Sequence, residues 1–292
     1  MAVNNFIPQV WASRVLYNLH KAQVWGQPGV CNMDYQGEIT EMGNQVRIGA
    51  IGPIAVKKYT KNTLIGTPDT LTDAATMLNI DQGDYINFAV DDVDKAQAAV
   101  NIMDAAMYEA GYAISNSADT FISGLVAGVS SANVIGSDTT PKTDLAVSSS
   151  VSKAYDYLVN LTVLLKVSNV PIDGCWAIVP PFYFGLLQKD DRFVRYGTDT
   201  QSDVLHNGIV GRAAGLNIMV SNNVLLTGAS SNVYNVTAGS PLAISYADQI
   251  TEMVAYRPEQ RFADAIKALH IYGAKVVRPQ ALAVLKCQDP GF

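Results

Sequence analysis

Apolar residues recur at steps of three and four from Val93 through Ala96, Val100, Met103, Met107, Ala110, Ile114, Ala118 and Phe121 to Leu125. That spacing puts them on one side of an α-helix. A helix over about residues 93–125 would be a rod of about 45 Å at 1.5 Å per residue, well above the usual globular length. It lacks the charge pairs that flank a coiled-coil seam. It therefore reads as a single spine against which the rest of the chain packs. Asp91, Asp92 and Asp94 stand before it, where carboxylates cap free amides and favour the positive end of the helix.

The chain on either side of this rod differs in texture. Residues 1–36 mix Trp11, Tyr17, Trp25 and Tyr35 with Gly26, Pro28 and Gly29, and Val10, Val15, Leu16, Leu19 and Ala22 suit one short helix. So aromatic an N-terminal arm should pack against its own subunit or a neighbour. Over residues 37–76, Val46, Ile48 and Ala50 alternate with polar residues up to Gly52-Pro53. A polar, basic stretch with Lys57, Lys58, Tyr59 and Lys61 then runs on to Pro68, and a returning strand lies at Met77–Ile80. This is a long two-stranded arm. A lone hairpin is marginal in water, so a long one is expected to lie on another surface.

Beyond the spine, Gly128 to Pro141 reads as a loop and an internal boundary. An α/β texture follows. A helix is expected near 149–168, a buried strand at Cys175–Val179, a Pro-started helix at Phe182–Lys189 and a strand at Asn217–Ser221. Further strands are expected at Ala243–Tyr246, Glu252–Tyr256, Ile271–Val277 and Ala281–Leu285. The domain reading is an arm (1–36), a hairpin (37–76), a spine-bearing unit (77–145), an α/β unit (146–250) and return strands completing both (251–292).

Bulk chemistry narrows what such a chain can do. Hydrophobic residues make up 49% and charged residues 16%, against about 25% charged in an ordinary domain. Much apolar surface and few charges favour association with further copies. The net charge of −6 argues against a primary nucleic-acid binder, which would carry a basic face. No secretion signal is recognised in the first residues, and the most apolar stretch, Gly174 to Leu187, is broken by Pro180 and Pro181, so no membrane span is expected. Cys31, Cys175 and Cys287 are read as isolated thiols of a cytoplasmic protein.

The search for catalytic chemistry fails at each candidate. His20, His206 and His270 have no partner at ligand spacing, so no metal or cofactor is expected. Asp190 and Asp191 read as a solvated helix end. Gly208-Ile-Val-Gly211-Arg-Ala-Ala-Gly215 lacks the Gly-Lys-Ser/Thr end of a phosphate loop and precedes a strand, so turn glycines are the better account. Ser123 and Ser202 lie in no nucleophile elbow.

Several stretches carry a family resemblance. Ile51-Gly-Pro-Ile-Ala-Val-Lys-Lys-Tyr-Thr-Lys-Asn-Thr63 resembles the hairpin, or E-loop, of tailed-bacteriophage major capsid proteins, and Phe88 to Gln97 resembles their lead-in to the spine helix. Pro180 to Phe193, Gly215 to Asn223 and His270 to Pro279 are similar to further segments of these proteins, in the same order along essentially the whole chain.

This resemblance implies an α+β fold of the Hong Kong 97 type, with N-terminal arm, E-loop, peripheral domain containing the spine helix, and α/β axial domain. It implies no enzyme, but a coat subunit that self-assembles into hexamers and pentamers of an icosahedral or prolate head around double-stranded DNA, held without sequence-specific contacts. Partners would be a scaffolding protein and a portal during assembly in the host cytoplasm, with room for a decoration protein. Because the chain starts at Met1 and enters the fold within a few dozen residues, a separate scaffold and no N-terminal cleavage are expected. Inter-subunit contacts are expected at Lys57, Lys58, Tyr59, Lys61, Trp11 and Trp25. Some members cross-link a hairpin lysine to a neighbour's asparagine; ordinary ion pairing is the competing reading here. The alternatives are an encapsulin-type shell around an enzyme cargo and, more distantly, a soluble α/β enzyme binding a small molecule within 146–250.

Overall fold

The computed structural model describes residues 24–35, 45–51, 56, 58, 60–62, 64, 73–91, 102–145, 147–148, 151–171, 173–188, 209–228, 232–260 and 262–289. Within them the spine is helix α1 (Ile102–Gly124), continued by a 3-10 turn at Leu125–Gly128. Residues 92–101, where the stripe and its acidic cap begin, lie outside the described residues. Met107, Ile114 and Ala118 of the expected stripe are buried, while in the last turn Ile122 and Val126 are buried and the expected Phe121 and Leu125 only half-buried.

Strands β1 (Gln45–Ile51) and β2 (Asp73–Asn79) pair antiparallel from Gln45↔Asn79 to Ile51↔Asp73, which is the base of the long hairpin. Strand β3 (Gln82–Asp91) leads towards α1. A short strand β4 (Val134–Ile135) follows the spine, and β5 (Val147–Ser148) and β6 (Val151–Ser152) make a small ribbon before helix α2 (Lys153–Val167). Then come β7 (Trp176–Val179) and helix α3 (Pro181–Gln188), which begins on proline where no amide partner is needed. Strands β8 (Ile209–Ala213) and β9 (Leu216–Val220) flank a turn at Ala214-Gly215 with φ of 52° and 83°. Positive φ at both central residues is the twist-matching geometry of a two-residue hairpin. The glycine-rich stretch is therefore a β-hairpin.

The remaining strands are β10 (Leu226–Thr227), β11 (Val233–Gly239), β12 (Ile244–Tyr256), β13 (Ala263–Val276) and β14 (Leu282–Gln288). The seven-stranded sheet has the order β4-β14-β11-β7-β9-β8, with β10 added beside β11. β7 runs parallel to β9, and α3 lies in the connection between them. Strands β12, β13 and β3 form a separate antiparallel sheet, with a bulge between Ile250 and Glu252.

Alternation explains why the larger sheet is buried on both faces. Cys175, Ala177 and Val179 join Leu216, Ile218, Ala283 and Leu285 on one side, against Leu158, Leu161 and Leu165 of α2 and Leu187 of α3. Trp176 and Ile178 point the other way, with Leu282 and Val284, into a core shared with Trp25, Ala118 and Ile122. The hairpin base packs through Val46, Ile48, Leu78 and Ile80 onto Ala247 and Ile271 of the small sheet. Gly273 is required there: a Cβ would overlap the Asn79 carbonyl oxygen and lie 3.0 Å from Ile80 Cα.

Candidate functional site

The hairpin tip is the region the sequence singles out for contact. Val56 and Leu64 are 96% and 101% exposed, and Lys58 and Lys61 are exposed beside them. The tip thus presents apolar and cationic groups together, while its base is held by the core. Lys57, Tyr59 and Trp11 lie outside the described residues, as do His20, His206, Asp190 and Asp191.

Trp25 takes a different place from the one expected. Its side chain is fully buried within its own subunit, so none of its surface remains for a neighbour. Its ring meets Trp176 edge to face at 5.8 Å between centroids, and its Nε1–H donates to the Asn223 carbonyl at 3.1 Å. The physical reason is that an indole this large, next to its own chain's spine, removes more apolar area from water inside the subunit than on its rim.

Asp119 of α1 organises this region. Its carboxylate accepts the backbone N–H of Val24 at 3.3 Å and of Trp25 at 3.1 Å, and also bonds the Gly26 amide and the Asn223 side chain. Asn223 Nδ2 donates in turn to Asn116 Oδ1 of α1 at 2.6 Å. Burial pushes the Asp119 carboxyl up to about 6 despite these bonds, which favour its charged form. The root continues to Asn32, whose N–H donates to the Ile244 carbonyl at 2.8 Å and whose carbonyl accepts from Tyr246 at 2.9 Å. One short segment therefore ties the spine helix, β12 and the large sheet together. Sequence reasoning missed Asp119. A lone carboxylate between Ala118 and Phe121 of the apolar stripe was the available signal.

Catalytic chemistry finds no geometry among the described residues. No group of three His, Cys, Asp or Glu could hold a metal, and no helix is long and apolar enough to cross a membrane. His270 is a core residue: its ring stacks on Tyr272 at 5.0 Å and its Nε2 lies 3.5 Å from Asp248 Oδ2. Cys31, Cys175 and Cys287 are free and buried, and burial pushes each thiol up, away from the nucleophilic thiolate. An open cleft of about 460 Å³ is lined by Val170, Pro171, Leu242 and Val277, with Arg278 and two serines, but by no acid, histidine or cysteine.

Comparison with known proteins agrees with this picture. Residues 75–285 match the model of a phage capsid protein family. No protein of curated function matches the sequence. Among solved structures, a chain from Mycobacterium phage Che8 is 29% identical, with a TM-score of 0.67 over 97% of this chain and 98% of that one. A chain in the capsid of cyanophage P-SCSP1u shares 15% identity and a TM-score of 0.69 over 92% of this chain and 89% of that one. One in the capsid of Ralstonia phage GP4 shares 9% identity and a TM-score of 0.69 over 94% and 91%. A rooted hairpin, a spine helix and two sheets form the Hong Kong 97-type capsid fold, and the chain belongs to the phage capsid protein family as a structural protein of the virion, not an enzyme.

Proposed function

We propose that the chain is the major capsid subunit that builds hexamers and pentamers of a phage head around double-stranded DNA. The observation that carries this reading is the hairpin: its base is fixed by Val46, Ile48, Leu78 and Ile80, while Val56, Lys58, Lys61 and Leu64 stand exposed at its tip. In an assembly of an acidic protein, that tip would lie over an adjacent subunit, its apolar groups covered and its lysines against carboxylates. The seven-stranded sheet with α2 and α3 would be the axial domain around five- and six-fold axes. The small sheet with α1 would be the peripheral domain.

Assembly would take place in the host cytoplasm with a scaffolding protein and a portal, and the DNA would be enclosed without base-specific contacts, consistent with the net charge of −6. Sedimentation of the expressed chain, alone and with its scaffold, tests the proposal. Fast-sedimenting particles are expected. Deleting residues 57–68 should leave a folded subunit that no longer forms them, and normal particles from that deletion would refute the role given to the hairpin.

A further inference from the structure

The two sheets are joined by two links, residues 240–243 from β11 into β12 and residues 277–281 from β13 into β14. Both links wall the open cleft of about 460 Å³, together with residues 168–171 after α2 and with Ser130. Its walls are tied to one another by hydrogen bonds. The Val277 and Arg278 N–H groups donate to the Ala243 carbonyl at 2.8 and 3.2 Å, and the Ser130 N–H donates to the Pro279 carbonyl at 3.2 Å. Asn133 Nδ2 donates to the carbonyls of Gln280 at 2.8 Å and Leu282 at 2.9 Å. The subunit's own fold therefore shapes the cleft, and little ordering is needed when something enters it.

The cleft offers apolar surface and one cation. Leu242 stands 46% exposed in it, and Val170, Pro171 and Val277 line it as well. Among the described residues Arg278 is the only charged group in the lining, and its guanidinium has no ion-pair or hydrogen-bond partner there. A guanidinium takes a carboxylate in a fork of two hydrogen bonds, and arginine beside apolar surface is a common anchor between proteins.

We propose that this cleft is an inter-subunit socket for a segment of a second copy of this chain, one that carries an Asp or Glu beside a bulky apolar residue. Charge complementarity selects the occupant. The chain has 26 acidic against 20 basic residues, so its own copies present the carboxylates that Arg278 lacks. A nucleic-acid phosphate would satisfy Arg278 but leave Leu242, Val170 and Val277 uncovered. The inference rests on the capsid reading and deepens it, because a shell brings such a segment of another copy within reach. Both links between the sheets wall the socket, so a seated segment would also brace one sheet against the other.

Particles assembled from an equal mixture of ordinary and 15N-labelled purified chains test it, with the photo-cross-linker p-benzoylphenylalanine in place of Gln280 on the rim. Irradiation should join residue 280 to a peptide containing Asp or Glu, and mixed-label products should show that the two ends come from different copies. Arg278→Gln should lower the yield about tenfold and leave the melting temperature of the unassembled subunit unchanged, since the guanidinium has no partner within it. Particles without a mixed-label cross-link, a linked peptide lacking an acidic residue, or a yield unchanged by Arg278→Gln would each overturn the proposal while leaving the capsid reading intact. Failure to form particles at all would overturn the capsid reading, and this inference with it.

Discussion

The Trp176 indole N–H donates to the Val30 carbonyl at 3.0 Å, joining the centre of the large sheet to the N-terminal root across 146 residues of sequence. Both residues are fully buried. Trp176→Phe would leave that carbonyl without its partner and shrink the ring that meets Trp25 edge to face. An orphaned buried acceptor costs about 1–3 kcal/mol. The urea midpoint of the unassembled subunit should fall accordingly, with little change in slope.

Gly273 gives a second test of packing. Gly273→Ala would force the β2 exit at Asn79–Ile80 away from β13, where the obstacle is backbone and cannot swing aside. Overpacking of this kind costs about 1–3 kcal/mol. It should also displace the hairpin base, because Lys275 Nζ donates to the Met77 carbonyl two residues along each strand. Thermal unfolding reads the first effect, and proteolysis within residues 56–64 reads the second.

Much of this arrangement was legible in the sequence. The spine stripe and the hairpin base carry the periodicity of their elements, and the strand at Trp176–Val179 shows as a short unbroken apolar run. What was not legible depends on neighbours. Strand β11 was overlooked because Val233-Tyr-Asn-Val-Thr-Ala-Gly239 has no clean alternation; it is a strand because β14 and β7 flank it. Only the end of β13 was read as strand, since Ala263 to Leu269 is alanine-rich and extends only through pairing with β12 and β3. The polar interruption at Asp248-Gln249 split β12 in two, whereas both residues pair with β13.

Acid should loosen the surface loop at residues 137–140. Lys286 Nζ lies 2.7 Å from Asp138 Oδ2, and this bond, with that from Thr227, holds the Asp138 carboxyl below its usual range. A lowered carboxyl stabilises the fold above its ordinary value and ceases to do so as the pH falls through its folded value. The pair is exposed, so its contribution is below about 1 kcal/mol. Asp138→Asn should therefore lower the melting temperature slightly at pH 7, lower it less in acid, and so flatten its pH dependence below about pH 4.

Charge reversal at the hairpin tip separates folding from assembly. Lys58 and Lys61 are exposed, so changing both to Glu should move the subunit's melting temperature by little. If the tip meets acidic surface on a neighbour, the same double variant should assemble at least tenfold less efficiently at low salt, and less differently from wild type at high salt. Light scattering during assembly measures both.

Electron microscopy of the purified chain under assembly conditions, alone and with the scaffolding protein proposed for it, addresses the central claim most directly. The account predicts closed shells whose reconstructions resolve five- and six-fold clusters of this subunit, each hairpin lying over the adjacent copy. A protein that stays monomeric under every condition, or shells in which the hairpin touches no neighbour, would contradict it.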